Sequence, residues 1–122
     1  MRKKFSVKWT GSKQPRKQRK YRHNAPLHIK RKFIHSHLTK ELQKKHKTKS
    51  IGVRKGDKVK IMRGQNKGKS GKVERVDTRR EKVYITGIEV TRREGSKVLL
   101  PIHPSNLIIQ ELNTEDKTRR LK

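Results

Sequence analysis

The stretch that decides the fold runs from Gly56 to Val76 and reads GDKVKIMRGQNKGKSGKVERV. Val59 and Ile61 alternate with lysines, so this run predicts a short strand with one buried face and one cationic face. A loop with closely spaced glycines follows, and a second apolar run begins at Val73. The stretch therefore predicts two strands joined by a basic loop. Gly64, Gly68 and Gly71 in that loop permit a positive φ or the close approach of another backbone.

Further strands are expected after position 76, because short apolar runs alternate with turn signals from residue 51 onward. Turn signals include Gly87 and the Pro101 to Pro104 segment, and residues 77–82 form a polar connection. About five short strands at this spacing predict a small β-barrel, whose closure would protect the strand edges. The apolar pairs that define the runs are Val59 and Ile61, Val73 and Val76, Val83 and Ile85, Ile88 and Val90, Val98 and Leu100, and Leu107 and Ile109.

The charge distribution separates an N-terminal extension from this strand region. The chain has 37 Lys and Arg against 10 Asp and Glu, a formal net charge of +27, and only 27% of its residues are hydrophobic. Residues 1–50 contain a single acid, Glu41. Such a chain repels itself unless a polyanion neutralises it, so a polyanion is the first partner to expect. We divide the sequence into a basic extension (1–50), a barrel (51–112) and a polar C-terminal tail (113–122) with little structure of its own.

The extension contains three candidate helices. Ser12 is a plausible N-cap for a helix through Tyr21 that is polar on all faces. After Asn24-Ala25-Pro26, the spacing of Leu27, Phe33, Ile34 and Leu38 predicts a second helix whose apolar stripe packs on the barrel or on a neighbouring protein. Thr39 is a candidate N-cap for a third helix. Before them, Phe5, Val7 and Trp9 either dock on a protein surface or stack on an unpaired base.

Catalysis and metal binding find little support in the residue types present. The absence of cysteine excludes disulfides and Cys-based zinc sites. His35 and His37 are the closest histidine pair, but in the predicted helix they do not share a face, and no ligand set completes them. The acids, among them Asp57 and Glu81, are interleaved with Lys or Arg and resemble surface pairs and turn residues. We expect no enzyme activity, no cofactor, no small-molecule substrate and no membrane insertion.

The motif at Gly56 to Val76 resembles the KOW motif, an RNA-binding and protein-binding element. Two flanking blocks narrow the resemblance: Asn24-Ala25-Pro26-Leu27-His28 with Arg31-Lys32, and Ile102-His103-Pro104-Ser105-Asn106-Leu107. A third, Leu38-Thr39-Lys40-Glu41-Leu42, leads through Val53-Arg54-Lys55 into the motif. Together they make residues 12–112 resemble the large-subunit ribosomal protein family numbered twenty-four in the universal series, in its archaeal and eukaryotic form. The short C-terminal tail favours an archaeal source.

The resemblance implies an SH3-like barrel that binds large-subunit rRNA, assists early subunit assembly and lies near the polypeptide exit tunnel, in the cytoplasm. It also implies neighbouring ribosomal proteins as partners. A KOW module of a transcription elongation factor is the alternative. Two residues have a second interpretation, since His28 and His103 can make packing contacts and His103 can cap a turn. The candidate RNA-binding residues are Lys13, Arg16, Lys17, Arg19, Lys20, Arg22, His28, Arg31, Lys32, Arg54, Lys55, Arg63, Gly64, Gln65, Asn66, Lys67, Gly68, Lys69, His103, Ser105 and Asn106.

Overall fold

The structure, a computed structural model, describes residues 5–8, 11–115 and 119. Trp9, for which the sequence offered two interpretations, lies outside the described residues. The described chain contains three helices, α1 (Pro15–Asn24), α2 (Leu27–Phe33) and α3 (Lys40–His46), and a 3₁₀ turn at Pro104–Asn106. Its strands are β1 (His35–Leu38), β2 (Ser50–Gly52), β3 (Lys58–Ile61), β4 (Ser70–Asp77), β5 (Lys82–Thr91), β6 (Lys97–Ile102) and β7 (Leu107–Glu111).

All seven strands join one sheet in the order β2-β1-β7-β3-β4-β5-β6. Neighbouring strands are antiparallel except for β1 and β7, which are parallel. One hydrophobic core includes Leu38 from near one end of this order and Ile102 from the other, so the sheet wraps around a single core. The mostly-β, barrel-like architecture expected from the sequence is confirmed. Closure by strand pairing is not seen in the described residues, because β2 and β6 remain the two ends of the sheet.

The central hairpin forms as the motif predicts. β3 pairs with β4, and the side chains of Val59, Ile61 and Val73 are fully or almost fully buried while Lys58 and Lys60 remain partly exposed. The alternation of apolar residues and lysines in the sequence therefore corresponds to the buried face and the partly exposed face of the strand. Gly87 does not separate two strands as expected, since β5 continues through it with a positive φ of 87° and a register shift between Tyr84 and Glu89.

The helix expected over Leu27 to Leu38 is wrong in its second half. It ends at Phe33, and the next residues form β1, in which Ser36 and Leu38 are buried and His35 and His37 are exposed on the other face. β1 lies between β2 and β7, so the residues before position 51 contribute to the sheet and to its core. The tertiary pairing decides here, because four residues are too few for helical and strand spacing to differ clearly.

The two other helices lie close to their expected positions, but Ser12 is not the N-cap of α1: Gln14 takes that position, and its N–H donates to Oγ of Ser12. Pro15 occupies the first turn of α1, where its missing N–H costs nothing, and the helix ends at Asn24 before Ala25-Pro26. Thr39 takes the N-cap position of α3 without a side-chain hydrogen bond. Lys44, Lys45 and His46 lie in its last turn, where cations favour the negative helix end.

The C-terminal tail is better anchored than the sequence suggested. Arg119 is 7% exposed, and its guanidinium donates hydrogen bonds to both carboxylate oxygens of Asp57, which is fully buried. Asp57 also accepts hydrogen bonds from the backbone N–H groups of Arg54 and Asn113. The expectation that Asp57 binds nearby backbone is confirmed, whereas its classification as a surface acid is wrong.

Candidate nucleic-acid interface

The loop between β3 and β4 presents exposed cations on a defined backbone. Gly64 and Gly68 have φ values of 96° and 91°, and a Cβ at either position would meet no other atom within 4 Å. The Gly68 N–H donates to the Ile61 carbonyl, and the Lys67 N–H donates to the Gly64 carbonyl. These bonds define the loop backbone while leaving the glycines open to solvent. Arg63, Gln65, Lys67 and Lys69 are exposed, and the Lys69 ammonium donates to the Asn66 side chain at 3.2 Å.

Gly71 has a different role from the two loop glycines. It lies in β4, and an added Cβ would come within 2.8 Å of the Thr86 carbonyl oxygen and 2.9 Å of the Ile85 Cγ2. The close approach that its sequence position suggested is therefore made to β5 of the same chain. Only Gly64 and Gly68 adopt the positive φ expected within the loop.

A second basic surface is an open groove of about 1110 Å³ beside α2, which we call the α2 groove. Candidate residues from two distant segments meet there: His28, Arg31 and Lys32 come from α2, and Arg54 and Lys55 precede β3. The sequence patterns did not point to the remaining polar side chains of the groove, which are His35, Glu74, Arg75, Thr78, Asn113 and Arg119. Its apolar residues are Ile34, Ile51, Val53 and Val76.

Two groups of the α2 groove are positioned by their neighbours. The Arg75 guanidinium lies 4.1 Å from the centre of the Tyr84 ring, a cation–π geometry that orients it. The His35 ring lies beside Gly52, where an added Cβ would be 3.8 Å away. Partial burial lowers the pKa of His35, so its ring is predominantly neutral at pH 7. The groove thus combines fixed positive charge with an uncharged aromatic ring.

Helix α1 carries five of the candidate residues and has no buried side chain, and a sixth candidate, Lys13, precedes it. It is attached to the barrel by Arg22, which donates to the Glu81 carboxylate at 2.8 Å, and the Phe5 and Tyr21 rings are in contact at 4.8 Å. Glu81 has a positive φ of 56° in the turn between β4 and β5 and is largely buried. Its classification as a surface acid is therefore wrong. Burial raises the pKa of Glu81, but hydrogen bonds from Arg22 and His103 and the charge of Arg22 outweigh burial and leave the pKa below its usual value.

His103, Ser105 and Asn106 form a turn with internal partners. The Ser105 N–H donates to Nδ1 of His103 at 3.2 Å, which confirms the alternative that His103 caps a turn. With Nδ1 accepting, Nε2 carries the proton and donates to Glu81 at 3.3 Å. The Met62 N–H donates to the Asn106 carbonyl, which ties this turn to the start of the β3–β4 loop. His103 links the turn to the segment that holds α1.

Metal ligands and membrane spans were the other features considered from the sequence. Among the described residues, no group of three His, Cys, Asp or Glu side chains could hold a metal ion, although His35 and His37 do share the exposed face of β1. The helices in the described ranges are all too short or too polar to cross a membrane.

Comparison with known proteins identifies the family to which this chain belongs. Residues 12–122 match the family model that describes the ribosomal proteins called L26 in eukaryotes and L24 in archaea. A large ribosomal subunit protein uL24 from Methanothrix thermoacetophila is 49% identical over 108 residues, which cover 88% of this chain and 93% of that protein. The uL24 of Methanospirillum hungatei JF-1 is 48% identical over 111 residues, covering 91% of this chain and 92% of that protein. The resemblance and the expectation of a non-enzymatic protein are thereby confirmed, and the chain belongs to the family of archaeal L24 and eukaryotic L26 ribosomal proteins.

Proposed function

We propose that this protein is a structural component of the large ribosomal subunit that binds large-subunit rRNA, assists early subunit assembly and lies near the polypeptide exit tunnel. Its other partners are neighbouring ribosomal proteins, and it is located in the cytoplasm. The relatives described above are named as large ribosomal subunit proteins, which supports the first part of the proposal. An elongation-factor KOW module has no comparable support, because the family match extends over residues 12–122.

The observation that carries rRNA binding is the exposure of cations on ordered elements. Along α1, in the α2 groove and in the β3–β4 loop, candidate Lys and Arg side chains are solvent-exposed while the backbone that carries them is helical or hydrogen-bonded. Charges held in this way neutralise phosphates without first ordering a flexible chain, so less conformational entropy is lost on binding. The net charge of +27 requires such a polyanion.

The loop glycines suit a backbone contact. With no side chain at Gly64 and Gly68, a ribose-phosphate strand can approach the loop closely, while Lys67 and Lys69 supply charge beside it. Contacts of this kind position a protein on RNA and carry little sequence information. Specificity then comes from the folded shape of the rRNA and from its exposed loops, because the major groove of A-form RNA is too narrow for side chains to read.

A salt titration of the full chain with fragments of large-subunit rRNA tests the proposal. If about ten cations engage phosphates, affinity falls by about 10³–10⁵-fold between 50 and 200 mM salt. The variant Lys67→Ala with Lys69→Ala lowers the steepness of this dependence, whereas the matched pair Arg92→Ala with Arg93→Ala, at the exposed turn between β5 and β6, leaves it unchanged. A nearly flat salt dependence, or an equal effect of both pairs, would contradict the proposal.

The assembly and location parts have separate tests. Reconstitution of large subunits without the protein is expected to stop at an early particle, and later addition is expected to restore assembly more slowly than early addition. Crosslinking of exposed lysines in intact large subunits is expected to give rRNA contacts close to the tunnel exit. Recovery of the protein with RNA polymerase instead of washed large subunits would favour the elongation-factor alternative.

A further inference from the structure

The α2 groove has the mixed chemistry of a site for a nucleotide chain, beyond what phosphates alone require. Five Lys and Arg side chains other than Arg119 line it, and they face one acid, Glu74. Arg119 adds little charge because Asp57 neutralises it at 2.7 Å. The same groove has apolar side chains, including Ile51 and Val76. These two side chains pack against the core but are only partly buried, so they leave apolar surface beside the cations that a base can contact.

Two features of the groove can bind the face of a base. His35 and His28 place aromatic rings in it, and both residues are exposed. Arg75 also lines the groove, and its guanidinium lies 4.1 Å from the centre of the Tyr84 ring. Unpaired bases stack on histidine rings and on arginine planes, whereas bases inside a duplex offer no free face.

We propose that the α2 groove binds an unpaired segment of RNA, with phosphates on Arg31 and Lys32 and one base stacked on the ring of His35. This inference rests on the proposed function, that the protein binds rRNA, and names the kind of RNA that one of its surfaces takes. We assign the β3–β4 loop and α1 to contacts with the RNA backbone, through their exposed Lys and Arg side chains. The groove is thus the part of the interface that distinguishes single-stranded from double-stranded RNA.

The stacking contact can be tested with a matched pair of histidines. His35 and His37 share the exposed face of β1, but only His35 lines the groove. In fluorescence anisotropy with the full chain and a short oligouridylate, His35→Ala is expected to weaken binding about tenfold, the effect of losing one stacked base. His35→Phe is expected to restore it, and His37→Ala to change it less than twofold. Binding of an RNA duplex of the same length is expected to be unaffected by all three substitutions.

The phosphate contacts have a different signature. The exposed pair Arg31→Ala with Lys32→Ala is expected to reduce the slope of log affinity for oligouridylate against log salt by about 1.4, the value for two phosphates of a single strand. The control pair Arg92→Ala with Arg93→Ala removes the same charge outside the groove and is expected to leave the slope unchanged. Circular dichroism of each variant verifies that it is folded.

Several results would overturn the inference: no binding of oligouridylate by the unmodified chain, equal losses for His35→Ala and His37→Ala, or equal losses for single-stranded and duplex RNA. The proposed function is judged separately, by binding to rRNA fragments. If the chain binds those fragments with a steep salt dependence and His35→Ala leaves oligouridylate binding intact, only the groove inference fails. If the chain does not bind the fragments, the proposed function itself fails.

Discussion

Arg119 and Asp57, which are 62 positions apart in the sequence, form a bidentate ion pair inside the protein, with Nη1 at 2.7 Å and Nη2 at 2.8 Å from the two carboxylate oxygens. Nη2 also donates to the Gly52 carbonyl at the end of β2. One guanidinium thus joins the C-terminal tail, the end of β2 and the start of β3. Two parallel hydrogen bonds between charged groups constrain the position of both partners more than a single contact would.

Removing one member of this pair is expected to destabilise the fold. Arg119→Ala leaves the Asp57 carboxylate buried without its counter-ion, and the expected loss is about 3–5 kcal/mol in the free energy of unfolding measured in urea. The double variant Arg119→Ala with Asp57→Ala is expected to lose less than the sum of the two single variants. Glu111→Ala is the control, because Glu111 and Lys58 are 3.9 Å apart and both exposed, and it is expected to have no measurable effect. Additive losses at Arg119 and Asp57 would contradict a coupled pair.

The attachment of α1 to the barrel is expected to depend on pH through Glu81. The folded-state pKa of Glu81 is below its ordinary value of 4.5. Its ionised form therefore stabilises the attachment fully above that ordinary value, and the contribution is lost as pH falls through the folded-state pKa. The protection of the α1 amides, measured as their exchange rate relative to the intrinsic rate at each pH, is expected to fall over this acidic range, and Glu81→Gln is expected to remove this pH dependence of the protection. Glu89→Gln, an exposed control on β5, should leave it in place. An unchanged profile in Glu81→Gln would assign the effect to other groups.

Gly71 is expected to be intolerant of a side chain because β5 lies against it. In Gly71→Ala the new methyl would overlap a backbone carbonyl oxygen at 2.8 Å, and we expect a loss of about 1–3 kcal/mol in the free energy of unfolding. Gly11→Ala, where nothing lies within 4 Å and no positive φ is required, is expected to be neutral. Chemical denaturation of both variants provides the comparison, and equal stabilities would show that β4 and β5 are not in such close contact.

The cations of α1 are expected to contribute to rRNA affinity without contributing to folding. No residue of α1 is buried, so alanine at Arg16, Lys17, Arg19 and Lys20 should leave the urea midpoint of the barrel unchanged. For each phosphate contact that is lost with a substituted cation, the slope of log affinity against log salt is expected to become shallower by about 0.7–0.9. Substitution is preferable to deletion of residues 1–49, which would also remove β1 and the buried Leu38. Unchanged rRNA affinity in the fourfold variant would show that α1 is not an RNA anchor.

Much of the central architecture was predictable because its signals are local. The alternation of Val59 and Ile61 with lysines defines the two faces of β3, and Gly64 and Gly68 are required where the loop backbone adopts positive φ. Neither feature depends on a distant residue. The strong excess of Lys and Arg likewise indicates a polyanionic partner from composition alone.

Every feature that the sequence failed to reveal depends on contacts between distant segments. β1 is a strand because β2 and β7 offer hydrogen bonds on both of its sides, although its four residues carry no clear spacing of their own. Arg75 and His35 come into the same groove as α2 only when the sheet is assembled. A histidine or arginine in a basic chain has no local mark that distinguishes a groove residue from a solvated one.

The sequence by itself determined the hairpin at residues 56–76, the placement of α1 and α3 and the basic character of the surface, because strand alternation, helix signals and net charge are properties of neighbouring residues. Only the tertiary structure decided which charges remain available to a partner. Asp57 and Glu81 look like surface acids in the sequence, yet folding buries both and pairs them with Arg119 and Arg22. Burial of a carboxylate requires a counter-charge, and a partner tens of residues away is set by the fold and not by any local pattern.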